Sequence, residues 1–266
     1  MRPLGHELAH AKLTRTLRVV GRRPDGYHLL ESEMVSLDLA DELDLLEGDG
    51  LEVVDALAWS GTGPLPTLAV PAGRSNLVAR ALELVGRRAF VRLTKRIPPG
   101  AGLGGGSSDA AAVLRWAGVV DPGVAARLGA DVPFCLRGGR ALVRGIGEVV
   151  EPLEPIEACF LLLVPDRPAP TPAVYAAFDL VGPTPGATND LEAAALAVEP
   201  SLARARALLE EVTGHRAALA GSGSTWYVEC PDGARDAERW ASELRDALAG
   251  ERRRGAVVVA TAVGPA

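Results

Sequence analysis

The chain has 266 residues, 48% of them hydrophobic, and a formal net charge of −6. That length can bury one large core or two modest ones. The acidic balance argues against a nucleic-acid surface, although a local basic groove remains open.

Three cysteines, Cys135, Cys159 and Cys230, are odd in number and far apart. They predict a reducing compartment and no metal cluster. The N-terminus has no signal-like apolar run, and no stretch reaches about 18 uninterrupted apolar residues. A cytoplasmic protein with no membrane span is expected.

In chain order, residues 1–10 are expected as a short disordered lead. Lys12, Thr14, Thr16 and Arg18 alternate with Leu13, Leu17 and Val19, which predicts a strand over 12–20. A basic turn over 21–26 leads to Tyr27 and His28. Strands are predicted at 32–39 and 43–46, and 51–54 is expected to pair with the second of these. Residues 61–73 hold three prolines and read as loop.

A helix is predicted over 76–85, with Leu77, Ala81, Leu84 and Val85 on one face. A half-exposed strand follows at 90–94, then a glycine-rich stretch, then a small-residue helix from Ala110 to about Trp116. Residues 122–128 predict a short helix, and 141–144 with 147–150 a strand pair around Gly145. The strongest apolar run, 156–164, predicts a central strand. Beyond it come helices at 171–180, 189–197, 201–211 (capped by Ser201) and 236–248. Strands are expected at 216–219, 225–229 and 255–263. The acidic, proline-rich segment 151–155 is where a domain change is expected, dividing 1–150 from 151–266.

The stretch from Pro98 to Ala111 reads Pro-Pro-Gly-Ala-Gly-Leu-Gly-Gly-Gly-Ser-Ser-Asp-Ala-Ala. Its glycines let backbone N–H groups approach a bulky anion, and its serines can cap the helix that follows. A helix N-terminus there favours a phosphate. The common P-loop needs Lys and Ser/Thr after its last glycine, and Gly106 is followed by Ser107-Ser108. A dinucleotide fingerprint fits Gly100, Gly102 and Gly105, with Asp121 downstream. It should leave a buried parallel strand directly, however, and Pro98-Pro99 intervene. A plain glycine-rich turn is the remaining alternative.

This stretch resembles the phosphate loop of the GHMP small-molecule kinases. Supporting stretches occur in the expected order at 11–13, 21–28, 128–134 and 220–224. The resemblance implies an α+β, two-domain fold, with a ribosomal-protein-S5-like N-terminal domain that binds ATP and a ferredoxin-like C-terminal domain. The active site would lie in the cleft between them. Within the family the likeness is greatest to members that use ATP and Mg²⁺ to phosphorylate the 2-hydroxyl of 4-diphosphocytidyl-2-C-methyl-D-erythritol. Such a protein has a small-molecule partner, binds neither nucleic acid nor membrane, and is expected as a monomer or weak homodimer. The alternatives are a family member acting on another small alcohol and a non-catalytic nucleotide-binding module.

The same resemblance implies the roles. Asp131 is expected as catalytic base, with Lys12 beside it to balance developing charge. Pro99, Gly100, Ala101, Gly102, Leu103, Gly104, Gly105, Gly106, Ser107, Ser108 and Asp109 are expected around the ATP phosphates, and Asn76 and Leu77 near the adenine. Ser107 or Ser108 could reach Mg²⁺. Tyr27 and His28 are expected at the cytidine, and Thr14, Gly221, Ser222 and Asp131 at the substrate. Read without the resemblance, Asp131 would be a turn cap and Lys12 a solvated strand lysine. Thr14 stands where the family usually has Asn, so one hydroxyl replaces an amide donor and acceptor. His10 stands where a Pro is often found.

Overall fold

The computed structural model describes residues 1–58, 60–61 and 70–266. Most of the loop expected at 61–73 therefore lies outside the described residues. Two long strands, β1 (Pro3–Arg22) and β2 (His28–Leu46), form an antiparallel hairpin with register shifts that bend it. The N-terminal residues are not a disordered lead. Pro3 to His10 pair with Leu46 to Ala40 of β2. Their side chains alternate too weakly to signal a strand, and the backbone ladder supplies the order that the side chains do not announce. Likewise the two strands expected at 32–39 and 43–46 are one strand.

Strands β3 (Gly50–Asp55) and β5 (Phe90–Lys95) run parallel to each other, and β5 pairs antiparallel with β2. So 51–54 does not pair with 43–46, because β5 occupies that edge. The short β4 (Ser60–Gly61) lies on β11 (Arg254–Val263). β6 (Arg140–Gly145) extends the sheet beside β2, followed by β7 (Val149–Pro152). β11 bridges from β2 to β8 (Cys159–Pro165), and β10 (Trp226–Glu229) and β9 (Ala218–Leu219) complete the sheet. Residues 159–164 are buried throughout, as the apolar run over 156–164 predicts of an interior strand.

Helices cover the sheet. α1 (Leu77–Leu84), α2 (Gly105–Trp116), α3 (Pro122–Ala126) and α4 (Val132–Arg137) enclose one apolar cluster with β1, β2, β5 and β6. α5 (Thr171–Val181), α6 (Glu192–Val198), α7 (Leu202–Thr213) and α8 (Ala234–Gly250) enclose another with β8 and β10. Ser201 occupies the N-cap position of α7 without a side-chain cap bond. Its hydroxyl donates instead to Glu199 Oε1 at 2.6 Å.

A third cluster joins the two. Leu13, Val35 and Leu37 meet Phe160, Leu162 and Tyr227, together with Ile97, Ala101 and Leu103 of the glycine-rich stretch. The loop expected to bind phosphate is thus rooted in core by its apolar residues, which leaves its glycines at the surface of the cleft. α2 itself is buried from Ser108 to Leu114. The alanines at 110–112 let it lie close against its neighbours, as larger side chains could not.

Candidate active site

α2 begins at Gly105, five residues earlier than the small-residue pattern indicates, because Gly104 takes the left-handed conformation (φ 71°) that starts the turn. The first amides of α2, from Gly105 to Ser107, precede the first intrahelical bond, which Ser108 N–H donates to Gly104 O at 2.9 Å. The serines are not the cap. Ser107 sits in the first turn, and Ser108 is buried, donating through Oγ to His10 O at 2.6 Å.

β1 supplies the facing wall. Lys12 N–H donates to Leu103 O at 2.9 Å, which stitches the strand to the loop. A Cβ on Gly104 would sit 2.7 Å from Lys12 Cγ, so only glycine lets the lysine stem pass. Lys12 Nζ donates to Thr14 Oγ1 at 3.2 Å and lies 3.5 Å from Asp131 Oδ2. The Lys12 side chain is 6% exposed and that of Asp131 33%. Asp131 precedes α4 but makes no side-chain cap bond, so its carboxylate is not spent on the helix end. Thr14 is buried, and its single hydroxyl serves Lys12 where an Asn would have offered two groups.

The turn after β9 closes the third side. Thr225 donates to Ala101 O through its hydroxyl at 2.7 Å, and Asn189 Nδ2 donates to Gly221 O at 2.7 Å. A Cβ on Gly221 would lie 3.2 Å from Lys12 Nζ. Ser222 and Thr171 share a hydrogen bond at 2.8 Å. Together these walls line a cavity of about 1030 Å³. Every residue expected at the site borders it except Ser108, whose hydroxyl is turned to the His10 carbonyl.

Some expected residues are occupied in ways the sequence did not reveal. Asn76 caps α1, accepting from Val78 N–H at 2.8 Å, and its Nδ2 donates to Pro71 O at 2.7 Å. That leaves its side chain little to offer a base. His28 is bonded to Asp179 Oδ1 at 2.8 Å through Nε2 and stacked on Tyr175, ring centroids 5.0 Å apart. Tyr27 is 61% exposed and free to stack. Among the described residues no cluster of His, Cys, Asp or Glu is set up to hold a metal by itself.

The Asp109 carboxylate is engaged inside the protein. Its Oδ2 accepts from Lys95 Nζ at 2.7 Å, and Lys95 also pairs with Asp41. Asp41 Oδ1 accepts from Ile97 N–H at 2.8 Å and from Arg96 N–H at 2.5 Å. All three charged side chains are almost wholly buried. Burial and the nearby Asp41 push the Asp109 carboxyl up to about 7, against the pull of Lys95. Burial alone would lower the Lys95 ammonium, but Asp109 and Asp41 outweigh it and raise it. This group fixes the entry to the glycine-rich loop. Asp41 lies 54 residues from Lys95 in sequence, so no local pattern connects them.

Residues 76–139 match the model of the GHMP kinase N-terminal domain. The chain is 41% identical over 242 residues to 4-diphosphocytidyl-2-C-methyl-D-erythritol kinase of Paracoccus denitrificans, covering 83% of this chain and 85% of the relative. The protein of the same name from Cereibacter sphaeroides (strain ATCC 17025 / ATH 2.4.3) is 37% identical over 248 residues, with 82% and 87% covered. The chain belongs to the 4-diphosphocytidyl-2-C-methyl-D-erythritol kinase family. A crystal structure of 4-(cytidine 5'-diphospho)-2C-methyl-D-erythritol kinase superposes with a TM-score of 0.74 at 33% identity, covering 98% of this chain and all of that one. The fold is therefore that of the GHMP kinases, and the chain is an ATP-dependent small-molecule kinase.

Proposed function

We propose that the chain transfers the γ-phosphoryl group of ATP to the 2-hydroxyl of 4-diphosphocytidyl-2-C-methyl-D-erythritol, giving ADP and the 2-phosphate. The observation that carries this reading is the Lys12–Asp131 pair, 3.5 Å apart, in the same cavity as the opening amides of α2. Those amides and the helix dipole bind phosphate oxygens. Asp131 orients the hydroxyl and receives its proton as the new O–P bond forms and the bond to the ADP oxygen breaks. Lys12 balances the charge that develops between them. The attacking hydroxyl is tertiary, so correct placement contributes as much as proton transfer.

Mg²⁺ belongs to this reading as a companion of ATP. Magnesium keeps much of its shell as phosphate oxygen and water, so it does not need a protein cage. Ser107 is the hydroxyl on the cavity wall suited to assist, and Ser108 is turned away. When bound, the ion would neutralise phosphate charge. In this reading 1–150 carry the ATP site, 151–266 supply the Gly221-Ser222 turn and α5, and the reaction takes place in the cytoplasm.

A coupled assay of ADP release tests the reading. Release should depend on the cytidyl alcohol and fall away with other small alcohols. ADP release that is indifferent to that substrate, or absent in its presence, refutes it.

A further inference from the structure

The turn that carries Tyr27 is held at both ends by one carboxylate on a distant helix. Arg22 ends β1 and His28 begins β2, and the two are the last pair in that ladder. Asp179 on α5 receives both. Its Oδ1 lies 2.8 Å from His28 Nε2, and its Oδ2 lies 3.3 Å from Arg22 Nη1. Within the turn, Arg23 N–H donates to Tyr27 O at 2.7 Å, and Arg22 Nε donates to Gly26 O at 3.3 Å.

Three features separate this arrangement from a casual surface ion pair, which is worth little. First, the His28 side chain is only 9% exposed, stacked on Tyr175 and edge-on to Phe178 at 5.8 Å. Second, Asp179 lies in the last turn of α5, where a negative charge opposes the helix dipole. The helix gains nothing from an acid there, whereas the turn does. Third, Arg22, Tyr27, His28, Tyr175 and Asp179 all border the same cavity as Lys12 and Asp131.

We propose that Asp179 is a positioning residue for substrate recognition: it locks the 23–27 turn to α5 and so sets Tyr27 at the cavity in the orientation that receives the pyrimidine base. This rests on the reading of the cavity as the cytidyl-substrate site. ATP approaches at the glycine-rich loop, which Asp179 does not touch, so the effect is confined to one of the two substrates. Asp179 neither contacts the reacting atoms nor moves a proton.

The test compares the full-length chain with Asp179→Ala and Asp179→Asn. Calorimetry measures binding of cytidine 5'-diphosphate, and steady-state kinetics give KM for each substrate. Asp179→Ala should weaken cytidine diphosphate binding and raise KM for the cytidyl alcohol by about tenfold, because the turn must then be ordered on binding. KM for ATP should stay within about twofold, a split that general loss of structure would not give. Asp179→Asn keeps the shape and an oxygen facing His28, and should fall between the two. Should the alanine variant fail to fold, the asparagine variant carries the comparison.

Unchanged cytidine diphosphate binding in both variants overturns the inference, as does an equal rise in the two KM values. Failure of the unsubstituted chain to bind cytidine diphosphate overturns the reading of the site itself, and the role of Asp179 falls with it.

Discussion

Gly102 is where the glycine-rich loop can be tested most sharply. Its backbone lies at φ 79°, and a Cβ built on it would be 2.5 Å from Ala220 O and 2.7 Å from Gly223 O. Both obstacles are main chain, so neither can swing aside as a side chain would. Replacing Gly102 with Ala adds a left-handed penalty of about 1–2 kcal/mol. The overlap adds about 1–3 kcal/mol more. The sum, about 2–5 kcal/mol, is a large share of the stability of an ordinary domain. The relief available is to part the loop from the 220–224 turn, which breaks the two Thr225 bonds to Ala101 O. Urea unfolding and KM for ATP should therefore worsen together. Gly106→Ala is the matched control. Gly106 is helical, and its added Cβ would meet nothing nearer than Leu77 Cδ1 at 3.6 Å. Alanine there should leave stability unchanged or raise it by up to about 1 kcal/mol. If Gly102→Ala unfolds within about 0.5 kcal/mol of the unsubstituted chain, the close approach of loop and turn is not what requires glycine.

Asp131→Asn should lower kcat by about 10²–10⁴ in the coupled ADP assay, with little change in melting temperature. Lys95→Met should destabilise the fold by about 3–5 kcal/mol in urea, because Asp41 and Asp109 are left buried without their cation. Glu33 gives the pH dependence. Burial works to raise its carboxyl, but Arg140 and Arg15 outweigh that and hold it below its usual 4.5. Stability from this group is therefore complete above pH 4.5 and lost as pH falls through the lowered value. Glu33→Gln should flatten the acid limb of a stability–pH curve and leave its shape above pH 5 unaltered.

The fold was legible where side chains repeat and obscure where the backbone decides. The alternation from Lys12 onward and the run at 156–164 carry strands on their faces. Pro3 to His10 are ordered by β2, and α4 is a short element that opens Val132-Pro133 and offers too little periodicity to recognise. The start of α2 is hidden in the sequence because glycines read as loop, whereas Gly105 and Gly106 already lie in the helix. At the candidate site, the glycine run stands out in the sequence itself, whereas Lys12 and Asp131 are singled out only through the family resemblance, and the structure brings them within 3.5 Å of each other. Long-range partners could not be read from the sequence. Asp41 meets Lys95, and Asp179 meets His28, only once the sheet and α5 are assembled.

The two buried lysines of the cavity show why composition alone could not tell a working charge from a structural one. Lys95 faces two carboxylates, and both are almost wholly buried. Its charge is compensated inside the protein by that pair. Lys12 faces one carboxylate at 3.5 Å, which is partly exposed, and a neutral hydroxyl at 3.2 Å. An ammonium has three donors, so with one on Thr14 and one directed at Asp131, a third N–H of Lys12 remains for an incoming anion. Buried charges require compensation, and Lys12 receives it from a single, more exposed carboxylate at a longer distance. On the proposed reading, an ATP phosphate would take that third donor, beside an Asp131 carboxylate that makes no cap bond to α4.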